Sequence, residues 1–174
     1  MSMGMWQYTG QERPSFAQEP GLNQESVWDY PRPPALEPSD EEVVVMSAGE
    51  VIARTKRSLR MLETASPPTY YIPEADIVWA QLTAVGQPSF CEWKGQATYF
   101  SLAGDGSKQP VAWIYAQPAE AYGLIDRHVS FYPGKVACFV DGERVQPQPG
   151  QFYGGWITAR VVGPFKGESG TSGW

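Results

Sequence analysis

Glycine and proline cut this chain into short pieces, and the pieces between them are rich in β-branched and aromatic residues. With 18 Gly and 16 Pro spread over 174 residues, no apolar stretch keeps a helical period for long. Glu42-Val-Val-Val-Met46 and Glu50-Val-Ile-Ala53 flank a Ser-Ala-Gly turn and predict a hairpin. Ser58 to Glu63 fits either a strand or a helix, with strand preferred, and is stopped by Pro67-Pro68. Thr69-Tyr-Tyr-Ile72 reads as another, halted by Pro73, and Pro73 to Asp76 starts one helical turn. Ile77 to Thr83 reads as a strand. Ala97 to Leu102 and Val111 to Tyr115 flank the turn Gly104-Asp-Gly-Ser107 and predict a second hairpin. Ala119 to Tyr122 is a second helical turn. Val129 to Tyr132 and Val136 to Val140 flank Pro133-Gly134 and predict a third hairpin. The fold expected is mainly β, with antiparallel sheets and one or two short helical turns.

The length suits one domain, and 42% hydrophobic against 18% charged residues is apolar enough for a real core. The formal charge of -6 argues against a nucleic-acid partner, because that binding runs on phosphate neutralisation. No apolar run approaches the ~18 residues of a membrane span, and Met1 to Trp6 lacks the charged-then-apolar pattern of a secretory signal. The expectation is a cytoplasmic protein with no membrane partner and two free thiols, Cys91 and Cys138. Residues 1–26 read as an N-terminal arm, 27–145 as the β domain, and 146–174 as an extension that packs on the domain or trails from it. Its tail, Lys166 to Trp174, is Gly/Ser-rich and expected to be loose. The Pro-rich stretch Trp28-Asp-Tyr-Pro-Arg-Pro-Pro34 is either a strap that packs Trp28 and Tyr30 on the core or a docking peptide.

The chain has no Walker loop, G-x-G-x-x-G, G-x-S-x-G, H-E-x-x-H or C-x-x-C. Its single histidine, His128, gives a triad or His-rich site little to work with. No metal site and no cofactor is evident. Three constellations remain. Cys91, with Lys94 close by to favour its thiolate, is a candidate nucleophile, and Cys138 a candidate resolving thiol. Trp79, Trp93, Tyr99, Trp113 and Tyr115 form either a cage for a flat or cationic ligand or plain core. Arg54, Lys56, Arg57 and Arg60 form either an anion-gripping strip or a solvated strand face. Glu63, if buried, needs Lys94 or one of those arginines as partner.

Several stretches together resemble a known family. They are Trp28-Asp-Tyr-Pro-Arg-Pro-Pro34, Gly49 to Ala53, Leu62-Glu-Thr64, Tyr70-Tyr-Ile-Pro73, Cys91-Glu-Trp-Lys-Gly-Gln-Ala97, Tyr99, Ala112-Trp-Ile-Tyr115 and Val129-Ser-Phe-Tyr132. They look like the domain of unknown function 427 family over roughly Val27 to Val145. The ending Phe152-Tyr-Gly-Gly-Trp-Ile-Thr158 with Val162-Gly-Pro-Phe-Lys166 resembles its cyanobacterial branch. The resemblance implies a β-tent-like arrangement or small barrel-like sheets. β-tent relatives hold zinc through paired C-x-x-C motifs, which this chain lacks, so no zinc is carried over. The family's nucleotidyltransferase label is not carried over either, because Gly106-Ser107 is followed by no D-x-D carboxylate pair. The positions matching the family pattern are Glu63, Tyr71, Cys91, Lys94, Gly95, Tyr99, Trp113 and Tyr115.

The leading functional expectation is a small-ligand-binding β domain with an aromatic pocket around Lys94. Its lining would comprise Glu63, Tyr71, Trp93, Lys94, Tyr99, Trp113 and Tyr115. One alternative is a thiol-dependent enzyme using Cys91. Another is a scaffold acting through its Pro-rich arm and aromatic C-terminal tail on a partner or in a homodimer.

Overall fold

The computed structural model describes residues 6–91, 94–150 and 152–174. Its strands, in chain order, begin with β1 (Glu25–Ser26), β2 (Ala35–Ser39), β3 (Val43–Ser47), β4 (Glu50–Thr55) and β5 (Ser58–Leu62). Then come β6 (Thr69–Pro73), β7 (Leu82–Cys91), β8 (Gly95–Leu102), β9 (Ala112–Ala116) and β10 (His128–Phe131). The last are β11 (Ala137–Val140), β12 (Glu143–Arg144), β13 (Gln146–Pro147), β14 (Trp156–Ile157) and β15 (Val161–Val162). Helical structure among the described residues is confined to short 3-10 segments at Val27–Asp29, Glu74–Asp76, Trp79–Gln81 and Glu120–Ile125.

The mainly-β antiparallel expectation holds. A seven-stranded sheet runs β2-β5-β6-β10-β9-β8-β7, and a four-stranded sheet runs β12-β11-β3-β4. The larger sheet stays open, with β2 and β7 at its edges, so there is no closed barrel. The first hairpin forms as expected: Ala48 and Gly49 both take positive φ (50° and 80°), the geometry that matches strand twist in a two-residue turn. The second forms too, between β8 and β9.

The third hairpin does not. β10 pairs with β6 and β9, whereas β11 pairs with β3 and β12, so Pro133-Gly134 carries the chain from one sheet to the other. The hairpin turn in this region is Asp141-Gly142, again with positive φ at both positions (47° and 81°). Residues Ile77 to Thr83 also differ from expectation. Trp79–Gln81 forms a 3-10 turn, and β7 starts at Leu82 and runs to Cys91.

Period-two alternation divides the seven-stranded sheet into two faces. Tyr70, Ile72, Ala112, Val129 and Phe131 point to one side and join Val43, Val45, Ile52, Cys138 and Val140 of the smaller sheet in the central core. Leu59, Tyr71 and Trp113 point to the other side. The smaller sheet does not reach the β2–β5 end of the inner face. That end is covered by the arm and the C-terminal extension, which meet in the parallel pair β1–β15.

This junction is charged. Arg60 is fully buried and donates to Glu25 Oε1 (2.6 Å) and Glu37 Oε1 (2.9 Å). Arg160 pairs with Glu41 (2.7 Å). The four-residue basic strip is therefore split: Arg60 is part of the interior, while Arg57 sits at the surface on Asp76.

The strap reading of Trp28 and Tyr30 holds. Trp28 is fully buried, its Nε1–H donates to Pro164 O (3.1 Å), and Tyr30 is 5% exposed. The C-terminal tail is not loose. Trp174 packs on Phe16 (ring centroids 5.2 Å apart) and Trp28 (5.1 Å), and its backbone carbonyl accepts from Arg32 (2.7 Å). Large aromatic area outweighs the Gly/Ser composition between the anchors. Trp156 is also fully buried, stacked on Tyr70 at 4.9 Å, with its Nε1–H donating to Phe131 O (2.9 Å).

Candidate functional site

The outer face of the seven-stranded sheet carries a cavity of about 650 Å³. Strand register explains its floor. Tyr99 lies opposite Trp113, Ala97 opposite Tyr115, and Leu59 opposite Tyr71, so these side chains project from the same face. The rings form a continuous row. Tyr115 lies 6.4 Å from Tyr71, Tyr71 lies edge-on to Trp113 at 6.3 Å, and Trp113 lies 4.6 Å from Tyr132. Tyr99 is tied to β7 by a hydroxyl hydrogen bond to Ser89 (2.5 Å).

Lys94 stands beside this row with its ammonium 5.9 Å from the Tyr115 ring. The chain can turn there because the next residue is glycine. Gly95 has φ +93°, and a Cβ there would sit 2.7 Å from the carbonyl oxygens of Ala116 and Gln117.

The structure thus gathers Glu63, Tyr71, Lys94, Tyr99, Trp113 and Tyr115 around one cavity. Trp93 lies outside the described residues. Trp79 is not part of the site: it is 39% exposed and packs on Phe100 at 5.4 Å. Cys91 ends β7 at the sheet edge, and its side chain lies outside the described residues. Cys138 is a free, fully buried thiol in the central core, and burial pushes its pKa far up, so it does not serve as a resolving thiol.

Glu63 does not pair with Lys94 or the 54–60 strip. Its partner is Arg32, from the Pro-rich strap, at 3.4 Å. Arg32 also donates to the carbonyls of Tyr8, Thr64 and Trp174, which fixes the strap, the arm and the tail around one guanidinium.

Sequence reasoning missed the roof. Tyr153 to Gly155 and Lys166, all from the C-terminal extension, line the cavity across from the aromatic floor, with Phe152 at its rim, 83% exposed. Gly154 lies flat on Trp113; a Cβ there would come within 2.4 Å of the indole Cη2. Lys166 is 5% exposed, with its ammonium 4.6 Å from the Trp6 ring and 5.5 Å from the Tyr153 ring. Burial lowers its pKa, Arg32 lowers it further, and Glu63 partly offsets both. Tyr132 is pushed up to about 12, first by burial and then by Tyr99 and Tyr71. The signal for the roof was the Gly-Gly pair set among Phe152, Tyr153 and Trp156, a place where backbone must approach a ring closely.

Trp113 Nε1, at the floor, and the Oγ of Ser130, directly opposite it on β10 and fully buried, have no hydrogen-bond partner among the described residues. Among the described residues, no group of three His, Cys, Asp or Glu side chains is placed to hold a metal ion. None of the helices there is long and apolar enough to cross a membrane.

Comparison with known proteins places the cavity floor inside a family signature. No curated protein matches the chain. A family model described as "Domain of unknown function (DUF427)" matches residues 35–142, a span that holds Glu63, Tyr71, Lys94, Tyr99, Trp113 and Tyr115 but not the roof. The chain belongs to the DUF427 family.

Proposed function

We propose that this protein is a small-ligand-binding module whose site is the cavity between the outer face of the seven-stranded sheet and the C-terminal extension. One observation carries this reading. A concave space of about 650 Å³, well within the range of small-molecule sites, is floored by a continuous row of aromatic rings and edged by a few charged groups. Tyr71 (1% exposed) and Trp113 (6%) form the packed base of this floor, and the half-buried Tyr99, Tyr115 and Tyr132 rings present surface to the space above it, which suits a flat ligand. The C-terminal ending, whose sequence resembles the cyanobacterial branch, supplies the roof, so we read the enclosed form of the site as a feature of that branch.

The test is a titration of ¹⁵N-labelled protein with 2-naphthamide, a neutral planar probe. At roughly 0.3 kcal/mol per non-hydrogen atom, its affinity should be about 1 mM or tighter. The Trp113 indole signal should shift while those of Trp28 and Trp156 stay, and Tyr115→Ala should weaken binding about tenfold. Shifts that scatter over the surface, or that survive Tyr115→Ala unchanged, contradict the reading.

A further inference from the structure

We infer that the ligand of this cavity is a planar anion, an aromatic or conjugated ring system bearing a carboxylate or phosphate. This rests on the cavity being a ligand site at all.

The chain as a whole carries a formal charge of -6. Yet the described residues that line this cavity include three lysines, Lys94, Lys135 and Lys166, against one carboxylate, Glu63. That carboxylate is already engaged, since Arg32, whose side chain is only 2% exposed, holds it at 3.4 Å. Among the described lining residues the charge is therefore positive, against the net negative charge of the chain. Low-dielectric walls strengthen such a field.

Lys166 adds a more specific point. It is 5% exposed, and among the described residues its ammonium forms no ion pair. Two ring faces, Trp6 and Tyr153, are what it has instead. Arg32 stands near enough to lower its pKa. Glu63 offsets this only in part, so the ammonium beside a second cation stays short of counter-charge. An anion in the cavity relieves both the burial and the repulsion. Lys135, which is exposed, lines the same space and adds its positive charge to it.

The aromatic floor then sets the shape of the rest of the ligand. The half-buried rings of Tyr99, Tyr115 and Tyr132 favour a flat body, and the lysines favour an anionic end. A carboxylate and a phosphate share this chemistry, and charge-assisted hydrogen bonds from lysine serve both.

The experiment compares three probes with one ring system: 2-naphthamide, 2-naphthoate and 2-naphthyl phosphate. Affinities are measured by titration calorimetry on the full chain. The expected result is binding of at least one anion about tenfold or more tighter than the amide, weakening as salt is raised. The stronger anion identifies the head group. Lys166→Met and Lys135→Met should each reduce the anion-to-amide affinity ratio severalfold, and Lys166→Arg should retain most of it. If Lys166→Met does not fold, Lys135→Met and the wild-type ratio still decide. Equal binding of all three probes, insensitive to salt, overturns the anion inference and leaves the cavity reading standing. No binding of any probe removes the cavity reading and this inference with it.

Discussion

Gly154 is where the C-terminal extension touches the floor of the site, and a single methyl group there tests that contact. A Cβ at this position would lie 2.4 Å from Trp113 Cη2, 2.8 Å from Cζ3 and 3.3 Å from Tyr132 Cδ1. Carbon atoms pack at about 3.5–4.0 Å, so roof and floor must separate by about 1 Å. Overpacking of this kind costs about 1–3 kcal/mol. Replacing glycine by alanine returns about 0.4–1 kcal/mol by restricting the unfolded chain. Gly154→Ala should therefore destabilise the protein by about 1–2 kcal/mol. With a urea m-value of about 2 kcal/mol/M, the midpoint falls by roughly 0.5–1 M. Gly123→Ala is the control, because nothing lies within 4 Å of its Cβ; it should leave the midpoint equal or higher. In a Trp113→Leu background the clashing ring atoms are gone, and the cost of Gly154→Ala should shrink to below about 0.5 kcal/mol. Equal midpoints for Gly154→Ala and Gly123→Ala, or an undiminished cost in the Trp113→Leu background, refute the packing of the extension described above.

Three further outcomes follow from the surrounding structure. Burial raises the pKa of Glu25, but hydrogen bonds from Arg60 and Tyr30 and the charges of Arg60 and Arg160 outweigh it, leaving the carboxyl below its usual value. A depressed carboxyl contributes stability above its unfolded pKa of about 4.3 and loses it as pH falls through the folded value, so Glu25→Gln should flatten the acid limb of stability measured by urea titration between pH 6 and 3. Cys138, buried and with its pKa pushed up, should react with a thiol reagent in a Cys91→Ser background only as fast as the protein unfolds; rapid labelling under native conditions contradicts its core placement. Trp156→Ala should cost about 3–5 kcal/mol by chemical denaturation, because a fully buried indole stacked on Tyr70 leaves a large void.

Legibility in the sequence followed local chemistry. The Ala48-Gly49 turn, the alternation in Ala112 to Tyr115 and the buried Trp28 were readable because turn residues and period-two patterns act over a few positions. The destination of β11 was not. Pro133-Gly134 and Asp141-Gly142 both read as turns, and only the pairing of β11 with β3, far back in the chain, decides that the second closes the hairpin. The floor of the site was legible because Trp113 and Tyr115 alternate on one strand opposite Tyr99 and Ala97. The roof was not, because Lys166 and Gly154 reach it through an irregular extension whose path is set by the burial of Trp156 and Trp174. The pairing of Glu63 with Arg32 escaped for the same reason: 31 residues separate them, and Arg32 sits in a strap with no strand register to follow.

The central claim is that the cavity beneath Tyr153 to Gly155 is a ligand site, and the most direct measurement is a crystal structure grown with saturating 2-naphthoate. The account predicts one molecule per chain, its ring against Trp113 and Tyr115 and its carboxylate within hydrogen-bond distance of Lys166, Lys135 or Lys94. A ring bound elsewhere, or a cavity closed by its own side chains with no probe in it, contradicts the account.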